Sequence, residues 1–309
     1  MAQGLTRLRC GSGESLGADV EFGCDAVMLI IDTHAHLFSE DESAYPPKPE
    51  PSRPPAGTGT LSRLTEEVER HEVRAVTIVQ VSGFYGFDNR YIRAVALQNP
   101  HWTAGICTLD PLNSAAPRLL RQYAREGSMR GLRSVPVAGN QLDHPGVRAL
   151  WRAACDEGLP VNLLGGRVLE EQLDRMLKAF PSLPVVLDHS LGLRAGNDAH
   201  EALRALERLS QHRHLYTKLS FIANGEQGCA EGHPCPSMHA SVLRVIETFG
   251  AERCAWGSHF PTEKYARPLS YGEHLDIFRE RLSLSERDRR LVLGETARRI
   301  WFPEMDRRP

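Results

Sequence analysis

The chain has 309 residues, 41% hydrophobic and 25% charged, with 37 Lys and Arg against 39 Asp and Glu for a net charge of −2. Such a composition belongs to an ordinary globular protein able to bury a sizeable core, and the near balance of charge leaves no overall field to attract nucleic acid or an anionic membrane. A small neutral or anionic molecule remains as the substrate class, and a homo-oligomer stays open.

Residues 1–27 contain Arg7 and Arg9 but then run through CGSGESLGADVEFGCD, with no apolar block of signal-peptide length. The stretch has no periodicity and reads as a disordered leader ending before Met28. No run of about eighteen apolar residues occurs that would span a membrane. The seven cysteines, at 10, 24, 107, 155, 229, 235 and 254, are odd in number and scattered, which predicts reduced thiols and a cytoplasmic protein.

From Met28 the chain repeats one unit, a short apolar run, a loop and a stretch of helical apolar spacing. MLIIDTHAH (28–36) is the first predicted strand, and a helix follows over 61–72 with Leu61, Leu64 and Val68 on one face. AVTIVQV (75–81) precedes a helix at 88–98, and TAGICTL (103–109) precedes another at 114–126. MRGLRS (129–134) leads to PGVRALWRAACDE (145–157), where Pro145 suits a first helical position and Gly158 an end. LPVNLLG (159–165) and LPVVLDHS (183–190) alternate with helices at 169–180 and 198–211, the latter opening with Asp198 and Glu201 at capping-box spacing. LYTKLSF (215–221), a helix at 238–249, CAWGSHF (254–260) and a helical stretch over 271–301 complete the series.

Eight strand-helix units require parallel strands with helices outside, and eight can close into a (β/α)8 TIM barrel. No G-x-G-x-x-G follows the first strand, as a dinucleotide-binding open sheet would show. The expectation is an α/β single domain over 28–303 with a tail at 304–309. The proline-rich loop YPPKPEPSRPPAGTGT (45–60) after strand 1 would make a semi-rigid flap over the mouth.

Active sites of such barrels lie at the C-terminal ends of the strands. Strand 1 ends in His34 and His36, two residues apart and so on one face, strand 6 in His189 and strand 8 in His259. Neutral imidazole ligates zinc at about 2.0–2.1 Å or serves as a general base. Joint placement at one rim makes these four the candidate catalytic residues.

The ordered set IDTHAH, VQVSGFYGFDNRY, MRGLRS, VVLDHS and WGSHFP resembles the amidohydrolase-related branch of the amidohydrolase superfamily, and within it the lactonase-type group that includes 2-pyrone-4,6-dicarboxylate hydrolase and sugar lactonases. The resemblance implies a hydrolase acting on a small carboxylated or sugar-derived lactone. It also implies that His34, His36 and His189 hold a divalent metal, zinc foremost, although some similar lactonases work without metal. His259 stands where that family usually carries an aspartate, and Asn162 is the polar residue nearest to a strand 5 position that many metal-dependent relatives fill with histidine. Arg133 matches an arginine that grips a substrate carboxylate in the similar lactonases. A metal-dependent decarboxylase of an aromatic or muconate-type acid uses the same scaffold, and a non-catalytic small-molecule-binding barrel is a third reading.

Tyr45, Tyr85 and Asn89, on the loops after strands 1 and 2, are candidate substrate contacts. Lys218 on strand 7 reads either as a substrate-facing cation or as the partner of a carboxylate. Cys229, His233, Cys235 and His239 crowd together, but a C-x5-C spacing is not that of a structural zinc site. No G-x-S-x-G nucleophile elbow occurs.

Overall fold

The computed structural model describes residues 28–194, 199–222 and 235–307. The leader at 1–27, the Asp198 half of the capping box, and Cys229 and His233 lie outside these residues. Eight parallel strands follow one another around the sheet in chain order: β1 (Ile31–Ala35), β2 (Ala75–Val79), β3 (Thr103–Thr108), β4 (Met129–Ser134), β5 (Val161–Leu163), β6 (Val185–Leu187), β7 (Leu215–Leu219) and β8 (Cys254–Trp256). Each lies inside its predicted run. Beyond Trp256 the chain continues alongside β1, where His36 N donates to Phe260 O at 2.8 Å.

The longer described helices between strands are α1 (Leu61–Arg70), α2 (Arg90–Gln98), α3 (Ala116–Glu126), α4 (Pro145–Asp156), α5 (Glu170–Ala179), α6 (Ala199–Leu209) and α7 (Pro236–Phe249). Their apolar stripes explain their placement: Leu64 of α1, Leu120 of α3, Trp151 of α4 and Val242 of α7 are all fully buried in the layer between strands and helices. Local signals set the ends. Thr60 Oγ1 accepts from Arg63 N at 3.2 Å at the start of α1, and Pro145 occupies the first turn of α4.

A second, smaller cluster fills the barrel itself, with Ile31, Ala75, Ala104, Ile106, Val186 and Ala255 packed on Trp301 and Phe302 from the last helix. Pro303–Arg307 forms a further helical turn, Met305 packs against the inner cluster, and Glu304 pairs with Arg130. The expectation of reduced thiols throughout does not hold, because Cys235 is disulfide-bonded, while Cys107, Cys155 and Cys254 are free thiols. No described helix is long and apolar enough to cross a membrane.

Candidate active site

β1 carries a register irregularity between Asp32 and Ala35. Irregularities of this kind re-aim side chains. Here the result is a buried pair, with His34 Nε2 and His36 Nε2 3.2 Å apart. His36 Nδ1 lies 2.8 Å from Val79 O, which fixes its donor side and leaves Nε2 as the ligand or base atom.

His189 reaches the same point by an unusual backbone. His189, Ser190 and Leu191 all have left-handed φ values of 54°, 48° and 59°. Residues other than glycine pay for that conformation, and such strain gathers at functional sites. His259 also has a left-handed φ of 58°. The rings of His34 and His189 lie 4.5 Å apart centre to centre, His189 and His259 4.2 Å, and His34 and His259 5.0 Å.

Three positively or negatively charged groups sit behind the rings. Asp188 accepts from Arg133 Nε at 3.0 Å, its other oxygen lies 3.1 Å from Lys218 Nζ, and His34 Nδ1 is 3.5 Å away. Burial pushes the Asp188 carboxyl up, but the Lys218 ammonium, His34 and Arg133 outweigh it and hold the group well below the usual carboxylate range. Burial lowers all four imidazoles, His36 to about 3 and His189 to about 4, so the cluster is neutral near pH 7.

The β8 side is set by Asp32. Its carboxylate accepts from His34 N (2.9 Å), Ser258 N (2.9 Å), Ser258 Oγ (2.6 Å) and Tyr271 OH (3.1 Å), which staples β1 to the segment after β8. Gly257 permits this approach, since a Cβ there would lie 2.8 Å from His34 Cβ.

Donor chemistry and spacing fit a divalent metal. The edge of a tetrahedral zinc site with 2.0–2.1 Å bonds is about 3.3 Å, close to the 3.2 Å between the His34 and His36 nitrogens. Ligand atoms of His34, His189 and His259 lie within 4.8 Å of one another. Ser220 Oγ, 2.9 Å from His189 Nδ1, supplies the outer hydrogen bond that orients a ligating imidazole. His259 Nδ1 is buried with no hydrogen-bond partner.

The family model described as amidohydrolase matches residues 31–302, the whole barrel. The chain belongs to the amidohydrolase family. An L-fucono-1,5-lactonase from Burkholderia ambifaria is 26% identical over 189 residues, spanning 58% of this chain and 62% of that protein, so the chain matches less than two thirds of this curated relative. A crystal structure from Pseudomonas putida, provisionally described as a 2-pyrone-4,6-dicarboxylic acid hydrolase, is 25% identical with a TM-score of 0.72 over 89% of this chain and 97% of that one. A zinc-bound amidohydrolase from Burkholderia multivorans shares the fold, at 18% identity and a TM-score of 0.70 over 88% of this chain and 99% of that one.

Within the amidohydrolase barrel, His34, His36, His189, His259, Arg133 and Lys218 come together as one constellation. Lys218 is a carboxylate partner, fully buried against Asp188 with its ammonium 3.5 Å from His34 Nδ1. Asn89, expected as a substrate contact, is buried here against backbone: its amide donates to Phe87 O and Thr108 O and accepts from Thr108 N, all at 2.9–3.0 Å. It is a strut between β3 and the loop after β2. Tyr85 likewise anchors a loop, its hydroxyl accepting from Ser39 N at 2.7 Å, and Tyr45 packs on Tyr91 with ring centres 5.0 Å apart.

Asp188, Asp32 and Tyr265 were not singled out from the sequence. The two aspartates had a signal, since each lies within two residues of a candidate histidine, in LDHS and IDTHAH. Tyr265, whose ring stacks on His259 at 4.6 Å and 8°, had none, because its place depends on the turn after β8.

Proposed function

We propose that the protein is a hydrolase that adds water to a small carboxylated or sugar-derived lactone at the barrel mouth. The carrying observation is the convergence of four neutral imidazoles from three strands beside the buried guanidinium of Arg133. His34, His36 and His189 would hold a divalent metal, zinc foremost. Such an ion, when bound, polarises a carbonyl and lowers the pKa of water to about 7.

The chain's own groups supply the rest. Arg133, with Nε on Asp188 and Nη1 3.3 Å from Gln80 O, keeps further N–H groups for a substrate carboxylate. His259, neutral and with an unpartnered Nδ1, takes the proton of the attacking water and returns it to the ring oxygen as the ester C–O bond breaks, so acid and alcohol leave in balance. Tyr265 stacked on one face of His259 limits its rotation.

The test is a lactone panel on chelator-treated protein, reloaded with Zn²⁺ or Mn²⁺. Hydrolysis of a carboxylated or sugar lactone is expected. Inactivity on every lactone in all metal states, or CO2 release from an aromatic acid instead, would sink the reading. His259→Ala separates the two roles of that residue: retained metal with lost kcat marks a proton carrier, whereas lost metal marks a ligand grouped with His34 and His189.

A further inference from the structure

Strands β3, β4 and β5 present three neighbouring polar residues to the barrel interior. Thr108 pairs in register with Arg133, and Arg133 with Asn162. Their chain neighbours Cys107, Leu109, Leu132, Val161 and Leu163 pack in the outer core, so strand alternation turns the three polar side chains inward. All are buried. In the strand order this wall stands across from β1, β8 and their histidines.

Arg133 is engaged by Asp188 and Gln80, but its flanks are not. Thr108 Oγ1 and both Asn162 Oδ1 and Asn162 Nδ2 are buried without a hydrogen-bond partner, as is Gln80 Oε1 at the end of β2. Each such group left unpaired costs about 1–3 kcal/mol. Buried amides in a core are normally satisfied, so an amide with both ends open beside a guanidinium marks a place where a ligand supplies the partners.

The chemistry of that ligand follows from the signs of the open groups. Arg133 and Asn162 Nδ2 require acceptors, while Asn162 Oδ1 and Gln80 Oε1 require donors. A carboxylate or ring carbonyl only accepts and leaves the two oxygens bare. A hydroxyl both accepts and donates.

We propose that Asn162, assisted by Thr108, reads a ring hydroxyl next to the group held by Arg133, and so selects hydroxylated lactones over lactones that carry acceptors alone. The inference rests on the lactone reading and sharpens its substrate class. Sites built to bond a hydroxyl reject analogues that lack it far more strongly than apolar pockets reject a missing methylene.

The test compares a six-carbon aldono-1,5-lactone with δ-valerolactone, the same ring without hydroxyls, on the wild type, Asn162→Leu and Thr108→Val. Wild type is expected to favour the aldonolactone by roughly 100-fold or more in kcat/KM. Asn162→Leu is expected to lose roughly 10- to 100-fold on the aldonolactone and less than about threefold on δ-valerolactone. A parallel fall on both lactones, or no fall, overturns the proposal. Thr108→Val, nearly isosteric, gives the same comparison should the leucine variant fail to fold. Calorimetry with a six-carbon aldonate and with hexanoate separates the two levels of inference. If wild type hydrolyses neither lactone, the reaction is misread, yet tighter aldonate binding by wild type than by Asn162→Leu still supports the hydroxyl-reading wall, and equal binding overturns it.

Discussion

Lys218 Nζ lies 3.1 Å from Asp188 Oδ1, and neither side chain has any exposure to solvent. Asp188 also holds Arg133 at 3.0 Å, so one carboxylate balances two buried cations. The arrangement is asymmetric, and removal of the two partners is expected to differ. Asp188→Asn leaves two uncompensated buried charges, and breaking a buried pair in this way costs about 3–5 kcal/mol. Lys218→Met leaves Asp188 still paired with Arg133 and fills the space over the Trp301 ring, 5.2 Å from the ammonium. Urea unfolding at pH 7 should therefore show the aspartate variant as the far less stable. Equal losses would mean that the triad does not carry its charges as the geometry implies.

Asp32 accepts four hydrogen bonds, from His34 of β1, from Ser258 after β8 and from Tyr271 of the helix Tyr271–Asp276. An amide replaces it poorly, because an Nδ2 in the place of Oδ2 would oblige the Ser258 and Tyr271 hydroxyls to turn from donating to accepting. Asp32→Asn is expected to lower stability by about 1–3 kcal/mol and to loosen His34 against His259. Gly257→Ala strikes the same seam from the other side, since its Cβ would fall 2.8 Å from His34 Cβ. Both variants should weaken Zn²⁺ binding in a competition titration. Undiminished affinity in both would show that the seam does not position the histidines.

The barrel was legible in the sequence because its signals are local and repeated. Alternating apolar strands and striped helices report their faces residue by residue, and strand ends such as IDTHAH and WGSHFP place histidines at the rim by counting alone. What was not legible depends on distance in three dimensions. Asn89 carries the same side chain whether it bonds substrate or backbone, and only the approach of Thr108 decides. Likewise the Lys218 ammonium finds Asp188 at the end of the neighbouring strand, 30 residues away in the chain. Tyr265 meets His259 only because the chain doubles back after β8 through a left-handed residue.

Lys264 and Tyr265, adjacent in the short helix Thr262–Tyr265, face opposite tasks. Lys264 Nζ donates to Ser52 Oγ at 2.9 Å and to Arg53 O at 2.8 Å, pinning the proline-rich loop after β1. Tyr265 stacks on His259. Loop position and imidazole position are thereby linked through one turn of helix. Lys264→Met is expected to speed hydrogen–deuterium exchange at the Lys48 and Ser52 amides, which donate to Phe84 O and Gly83 O, and to reduce kcat more than it raises KM. Tyr265→Phe should preserve activity through the retained ring, whereas Tyr265→Leu should lose roughly tenfold or more, as expected when a supporting group leaves a catalytic side chain loose. A phenylalanine variant as damaged as the leucine one would shift the role from the ring to the hydroxyl.

His274 tests the electrostatics away from the reacting centre. It is fully buried in the outer layer, its Nδ1 accepts from Trp256 Nε1 at 3.0 Å, and burial lowers its pKa to about 3. His36 and His189 are depressed by the same cause to about 3 and about 4. In the unfolded chain these imidazoles protonate near pH 6.5, in the folded one only near 3 to 4. Between those limits the unfolded state binds more protons, so stability is full above about pH 6.5 and is lost as pH falls towards the folded values. His274→Asn keeps an acceptor for Trp256 but does not titrate. It is expected to be less stable than wild type at pH 7, by about 1–2 kcal/mol for the lost packing, and yet to lose less stability between pH 7 and pH 4.5. Urea unfolding at the two pH values measures both terms, and an identical acid loss in variant and wild type would exclude His274 as one of the groups that set it.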